Sequence, residues 1–339
     1  MDCIVLGDGW TGPWLARELQ VAGASVHYCR LHSAAPDSDR GPDISAVYVG
    51  NGELRTRAEL SFGKEIISQL WDVSRANFQR AEDFFKSSLL PHRLDSALWF
   101  GPDSKPVENS PALLFQQSAL TSWLEADVLR RGGQIETIDD ISALNRASTF
   151  EYEVKGHRGG SEKAMRATSL FISTESFPRS LVRGLESIWL PITLNRFTFK
   201  SPKSLGAVSL FHGGIDYCWQ KDPGTATVGS YRNLFEDRAF GMRRGWVDAV
   251  SENAVTSFFA KQGWIADGAL YKASFIESLS CDGLPLAGQL SAYPGVFLLS
   301  GFAARTANFF FELSHCLAAA FTGQATPPIL GLLSPKRFA

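Results

Sequence analysis

Residues 3–12 read Cys3-Ile4-Val5-Leu6-Gly7-Asp8-Gly9-Trp10-Thr11-Gly12, an apolar run that meets glycines spaced as GxGxxG. Apolar residues then recur at helical spacing, at Leu15, Ala16, Leu19 and Ala22, and Gly23 closes the pattern. Pro13 fits the first turn of that helix, where its missing N–H has no intrahelical partner to lose. A second strand is expected over Ser25 to Cys29, completing a strand-turn-helix-strand unit. In such a unit the first glycine permits a tight turn, the second lets the backbone approach a pyrophosphate and the third lets helix and strand pack closely. The free N–H groups and positive dipole end of the helix then meet the phosphates. A ligand-free turn could use the same glycines, but the placement between a strand and a helix favours a dinucleotide site.

That fingerprint ends with an acidic residue at the close of the second strand, where a carboxylate accepts hydrogen bonds from the adenosine ribose. Arg30 holds the place here. Its guanidinium could meet a ribose 2'-phosphate, which implies NADP, or could help hold the ribose of FAD; a solvated arginine after a strand is the plain alternative.

The rest of the chain is the setting for this unit. Its 339 residues suggest about two domains. With 45% hydrophobic and 20% charged residues, nine Trp and 24 Phe, it has the composition of a folded globular protein. A net charge of -2 gives no overall field that favours nucleic acid or an anionic membrane. The five cysteines, Cys3, Cys29, Cys218, Cys281 and Cys316, are scattered without a CxxC pair, which argues against a disulfide scaffold or structural zinc. No signal-peptide pattern and no long apolar span are present, so a soluble cytoplasmic protein without a transmembrane segment is expected.

Along the chain, residues 31–57 are loop-rich around a short strand at Ala46 to Val49. One helix is expected from Ala58 to Leu90 and another from Ser118 to Arg131, with a short strand at Ala97 to Phe100 between them. Further strands are expected at Phe150 to Lys155, Ala164 to Phe171, Thr193 to Phe199, Gly206 to Phe211, Tyr217 to Gln220 and Thr225 to Tyr231, with a helix from about Arg243 to Lys261. At the C-terminal end the turn Asp282-Gly283-Leu284-Pro285 precedes a strand at Val296 to Ser300, then Gly301, then a helix from about Asn308 to Phe321. A strand, a glycine and a helix thus recur at both ends, which implies that the termini share one sheet and that the β-rich middle is inserted.

Ordered landmarks across nearly the whole length give the chain a resemblance to a known family. They are Gly7-x-Gly9-x-x-Gly12, Phe115-Gln-Gln-Ser-Ala-Leu-Thr-Ser-Trp-Leu124, Ala167-Thr-Ser-Leu-Phe-Ile-Ser-Thr-Glu-Ser176, Asp282-Gly-Leu-Pro-Leu-Ala-Gly288 and Gly295-Val-Phe-Leu-Leu-Ser-Gly301. In this order they resemble the FAD-dependent oxidoreductases of the D-amino-acid oxidase, glycine oxidase and sarcosine oxidase type. The resemblance implies an α/β (α+β) two-domain protein: a Rossmann-like FAD-binding domain, discontinuous over 1–80, 115–185 and 270–335, and an inserted antiparallel β-sheet substrate domain over 81–114 and 186–269. It implies an oxidoreductase that takes a hydride from a carbon beside an amine nitrogen onto flavin N5, giving an imine. The alternatives are a catalytically silent FAD-fold binding protein or an NADP-dependent reductase.

For FAD, the resemblance implies a pyrophosphate at Gly7, Asp8, Gly9, Trp10, Thr11 and Gly12, an adenine side near Arg30 and Ile141, and a ring near Ile44, Ser45 and Ala46 and near Gly301, Phe302, Ala304, Arg305 and Thr306, with Thr174 a further cofactor-binding residue. Cys281 lacks the surroundings of a flavin-attachment motif, so noncovalent FAD is expected. Members that oxidise amino acids place an arginine five residues before the Asp-Gly-Leu-Pro aspartate to clamp the substrate carboxylate; Glu277 stands there in this chain. A carboxylate there suits a cationic amine substrate, or an internal pair with Lys272 or Arg305. Glu277, Tyr217 and Arg232 are therefore the candidate catalytic residues, with Trp219 and Tyr231 on the same presumed sheet. His212 and His315 are expected to be structural, as are Phe309, Phe310 and Phe311.

Overall fold

The N-terminal apolar run forms β1 (Cys3–Gly7), buried at every position because it lies inside a six-stranded sheet. The structure is a computed structural model, and it describes residues 2–31, 44–101, 105–148, 151–173, 181–182, 184–202, 208–211, 216–220, 224–230, 249–266, 268–302, 305–324 and 326–338. After β1 the chain runs through α1 (Thr11–Val21), β2 (Val26–Leu31), β3 (Ile44–Tyr48), α2 (Arg55–Phe62), α3 (Lys64–Ser88), β4 (His92–Phe100) and β5 (Pro106–Gln116). It continues through α4 (Gln117–Arg130), β6 (Gln134–Ile138), β7 (Asp140–Ser148), β8 (Glu151–Arg158), β9 (Ser161–Ala167) and β10 (Ser169–Ser173). Then come α5 (Leu185–Ile188), β11 (Trp189–Lys200), β12 (Val208–Phe211), β13 (Asp216–Trp219), β14 (Thr225–Ser230) and α6 (Ala249–Lys261). The last elements are β15 (Tyr271–Ser280), β16 (Leu286–Gln289), β17 (Val296–Ser300), α7 (Thr306–Phe321) and α8 (Ile329–Leu333).

The six-stranded sheet has the order β16-β17-β10-β1-β2-β6. β17, β10, β1, β2 and β6 are parallel, so their carboxyl ends share one edge, and the N-terminal and C-terminal strands do belong to one sheet. Side-chain alternation gives each face its own layer. Cys3, Val5, Tyr28 and Phe171 pack with Trp14, Leu15, Leu124, Phe309 and Phe311 of the helices. Ile4, Leu6, Cys29 and Ile172 pack instead on Tyr152, Val154 and Met165 of the three-stranded sheet β7-β8-β9. α1 and α4 are tied together by Asp127, 2% exposed, whose carboxylate accepts from Arg17 at 3.1 Å, Arg131 at 2.9 Å and Arg130 at 2.7 Å. A carboxylate tolerates that burial because charge-assisted hydrogen bonds replace its water.

The third sheet has eight strands in the order β15-β11-β14-β13-β12-β4-β5-β3. One face packs Phe197, Phe199, Phe211, Cys218 and Val228 against Val255 and Phe259 of α6. The opposite face carries Tyr48, Trp99, Leu210, Tyr217 and Trp219. β3 falls within 1–80 and β15 within 270–335, segments expected in the FAD-binding domain, and both hydrogen-bond into this sheet. A bridge between Leu279 and Phe302 links it to the turn after β17.

Several expected elements differ in their details. The helix expected over 58–90 is two helices, because Gly63 adopts φ +87 and ψ 152 and breaks it. The strand expected over 164–171 is two strands: β9 pairs with β8, and the chain passes through Thr168 into β10 beside β1. β5 is an additional eleven-residue strand that Pro106 and Pro111 conceal in the sequence. Among the described residues no helix is long and apolar enough to cross a membrane.

Candidate functional site

The glycine turn is built by close approach of backbone. A methyl group placed on Gly7 would lie 2.3 Å from Cα of Gly12, and one on Gly12 would lie 2.5 Å from Cε2 of Tyr28. Neither position admits a side chain. Gly9 is different: its surroundings are open, but its φ of +54 lies in the left-handed region. Thr11 Oγ1 donates to the carbonyl of Asp8 at 3.0 Å and closes the turn, and α1 begins without a side-chain cap or an acid in its first turn. The Trp10 side chain goes into the core, stacked on Phe311 at 4.8 Å and edge-on to Phe310 and Phe115. Those contacts join the start of α1 to the start of α7, while Phe309, Phe310 and Phe311 are core residues as expected.

Two buried hydroxyls without hydrogen-bond partners among the described residues flank this turn. Gly7 stands in register with Ser173 on β10 and with Arg30 on β2. Ser173 Oγ is unsatisfied, and so is Tyr28 Oη, two residues before Arg30. Burial pushes the Tyr28 hydroxyl well above its ordinary pKa, helped by the Glu125 and Asp8 carboxylates and opposed by Arg30. A buried hydroxyl without a partner is costly. With a glycine cradle that a Cβ would fill and two unsatisfied hydroxyls beside it, the residues present fit the pyrophosphate and adenosine end of FAD.

Arg30 is not the free cation of a solvated strand end. Its Nη1 donates to both oxygens of Glu125 on α4, at 3.0 and 3.1 Å, while Nε and Nη2 donate to Thr137 Oγ1 on β6 at 3.2 and 2.9 Å. Ile141 is buried between the six- and three-stranded sheets.

The second strand-glycine-helix unit opens at the same sheet edge as the first, with β10 between them. Gly301, φ +76, follows β17; its N–H donates to Ser278 Oγ at 2.9 Å, and Phe302 is buried against Phe310. Arg305 brackets the neighbouring turns: Nε donates to the Phe302 carbonyl at 2.9 Å, Nη1 to Asn51 Oδ1 at 2.7 Å and Nη2 to the Gly283 carbonyl at 2.8 Å. Thr306 opens α7, and Asn308 Oδ1 accepts from the Tyr48 N–H at 3.1 Å, fastening α7 to β3. Ala46 and Tyr48 share a buried cluster, and Ser45 Oγ accepts from Gln117 at 3.0 Å.

On the eight-stranded sheet, Tyr217 and Trp219 lie on the face away from α6. Their rings stack at 4.3 Å and 17° apart, and the Arg196 guanidinium lies 5.9 Å from the Trp219 ring. Tyr217 crosses β14 so closely that a methyl on Gly229 would lie 2.4 Å from its hydroxyl. Burial pushes the Tyr48 hydroxyl up to about 12, with Asn308 and Arg305 acting in the opposite direction. Glu277 pairs in register with Ile192, and Ala273 with Arg196. Alternation therefore puts Glu277 on the face of Arg196, about 13 Å along the strand. The expected pair with Lys272 is not formed: an odd separation on one strand sends the two side chains to opposite faces, and Lys272 binds Glu252 of α6 at 2.7 Å. His315 meets Glu18 at 3.1 Å. Arg232, Tyr231, Thr174, Ala304 and His212 lie outside the described residues.

Tyr28, Glu125, Tyr48, Trp99 and Arg196 join the site without having been singled out in the sequence. No spacing along the chain signals Glu125, since only the packing of α4 across the end of β2 brings it to Arg30.

No protein-family profile and no curated protein sequence matches the chain. Solved structures do. L-proline dehydrogenase from P. horikoshii matches with a TM-score of 0.72 at 12% identity, over 99% of this chain and 97% of that one. Iminodiacetate oxidase from Chelativorans sp. BNC1 matches with a TM-score of 0.69 at 12% identity, over 98% of both chains. Glycine oxidase from Geobacillus kaustophilus matches with a TM-score of 0.67 at 15% identity, over 98% of this chain and 97% of that one. The chain therefore has, from end to end, the two-domain α/β fold of these oxidases and dehydrogenases.

Proposed function

We propose that the protein is an FAD-dependent oxidoreductase that oxidises an amine or amino-acid-like substrate. The observation that carries this is the pairing of two strand-glycine-helix units, β1-Gly7-α1 and β17-Gly301-α7, at one edge of one parallel sheet. An extended dinucleotide fits that edge. The fold supports the same reading, since the solved structures that share it include a proline dehydrogenase, a glycine oxidase and an iminodiacetate oxidase.

The Gly7–Gly12 turn would hold the pyrophosphate by backbone N–H groups, with noncovalent attachment. Ser45, Ala46, Gly301, Phe302, Arg305 and Thr306 would border the ring. When bound, FAD supplies the two-electron acceptor that takes a hydride from the carbon beside nitrogen and leaves an imine. The protein's share is orientation and a dry site: Tyr48, Trp99, Tyr217 and Trp219 exclude water along one sheet face. Glu277, on the same sheet face as these rings, favours a substrate that carries its charge as an ammonium.

Denaturing the purified protein and recording the absorbance and mass of what it releases tests the cofactor; FAD is expected. Anaerobic mixing with a panel of primary and secondary amines and amino acids should then bleach the flavin. Protein that is colourless and takes up no flavin on incubation with FAD overturns the proposal.

A further inference from the structure

We propose that Glu125, carried on α4 and clamped by Arg30, supplies the ribose-binding carboxylate that the end of β2 lacks, and that this pair selects an unphosphorylated adenosine ribose. The inference rests on the dinucleotide assignment of the Gly7–Gly12 turn and adds the residue that reads the nucleotide's far end.

Position comes first. Arg30 is in register with Gly7, the last residue of β1, so its side chain leaves the sheet edge where the glycine turn begins. There the guanidinium is held from two sides, by Glu125 of α4 and by Thr137 of β6, which stands beside Arg30 in parallel register. The carboxylate of Glu125 is thereby brought to the end of β2 from another element. Both side chains keep contact with solvent, Arg30 at 43% and Glu125 at 20%, so a ligand can reach them. Tyr28 Oη, buried and unsatisfied, lies close enough to feel both charges.

Chemistry then decides the ligand. A carboxylate has about four acceptor directions, and Arg30 Nη1 uses one on each oxygen. The remaining directions suit the two O–H donors of a ribose diol. A 2'-phosphate brings donors to neither oxygen and sets its negative charge against Glu125, while the cation that would attract it is already neutralised. A lone arginine at this place predicts NADP; an arginine already paired with a glutamate predicts the diol of FAD or ADP.

The full chain, stripped of bound flavin, is titrated with FAD, FMN, 5'-ADP and adenosine 2',5'-bisphosphate by calorimetry and flavin fluorescence. The wild type is expected to bind 5'-ADP more tightly than the 2',5'-bisphosphate. E125Q and E125A should weaken FAD and 5'-ADP about tenfold, leave FMN unchanged and strengthen the 2',5'-bisphosphate. The double exchange R30E/E125R, which puts the acid on β2 and the cation on α4, should recover FAD affinity and guards against loss through misfolding of a single variant. If wild type and E125Q bind FAD and 5'-ADP equally, or if wild type prefers the 2',5'-bisphosphate, the inference falls while FAD binding stands. If wild type binds neither flavin nor 5'-ADP, the proposed function falls with it.

Discussion

The Gly7–Gly12 turn and the β13–β14 pair both depend on a glycine with no room beside it, yet for different reasons. At Gly7 the obstacle is backbone, Cα of Gly12 at 2.3 Å. At Gly229 it is the far end of a side chain, the hydroxyl of Tyr217 at 2.4 Å. Backbone has nowhere to go without unmaking the strand and helix on either side. A tyrosine ring can swing away. The proposed nucleotide end of the site is therefore fixed by main-chain packing, and the proposed substrate end by a choice of side chains that can be revised singly.

The largest effect that would break this comparison belongs to Gly7→Ala. It should destabilise the protein by about 3 kcal/mol, read as a shift in the urea midpoint, and abolish FAD uptake. A variant that unfolds like wild type and takes up FAD would show that the turn relaxes as easily as a side chain. Gly229→Ala should cost less, about 1 kcal/mol, because the Tyr217 ring moves instead of the backbone. FAD affinity should stay at the wild-type value while KM for the substrate changes, since the Tyr217 and Trp219 stack is disturbed. An unchanged KM would detach that face from the substrate.

A smaller effect sharpens the comparison at the Asp282-Gly-Leu-Pro turn, which joins β15 of the eight-stranded sheet to β16 of the six-stranded one. Burial by itself would raise the Asp282 pKa, but Arg337 at 2.7 Å, the Leu284 N–H and Ser280 together hold it below its ordinary value of 3.8. A carboxyl lowered by folding adds stability that is complete above its unfolded pKa and lost as pH falls through the folded one. Asp282→Asn should therefore unfold more easily than wild type by about 1 kcal/mol near neutral pH, with the gap closing as pH falls below about 4. A gap of constant size across that range, in urea melts, would show that packing rather than charge holds the turn.

Legibility in the sequence divides the same way. The strand, glycines and helix of residues 3–22 can be read because each depends on neighbours within one or two turns of chain. The break at Gly63 is hidden because a helical pattern resumes immediately after it, and the interruption lies in one residue's dihedral angles. The β9 and β10 boundary at Thr168 is invisible because the chain changes sheets without a turn residue. Glu125 cannot be assigned to Arg30, 95 residues away, without knowing that α4 crosses the end of β2. Glu277 can be placed at its position relative to Asp282, but its sheet face, and the loss of Lys272 as a partner, require the register with β11.

The sequence by itself determined the glycine cradle and the strand-glycine-helix unit at each end, since hydrophobic period and glycine spacing are local properties; the two-domain fold class came through the family resemblance that the ordered landmarks carry. Only the tertiary structure decided which charges meet. Ion pairs, stacked rings and shared faces join residues on separate elements, and their partners are set by register and layer packing, which no spacing along the chain encodes.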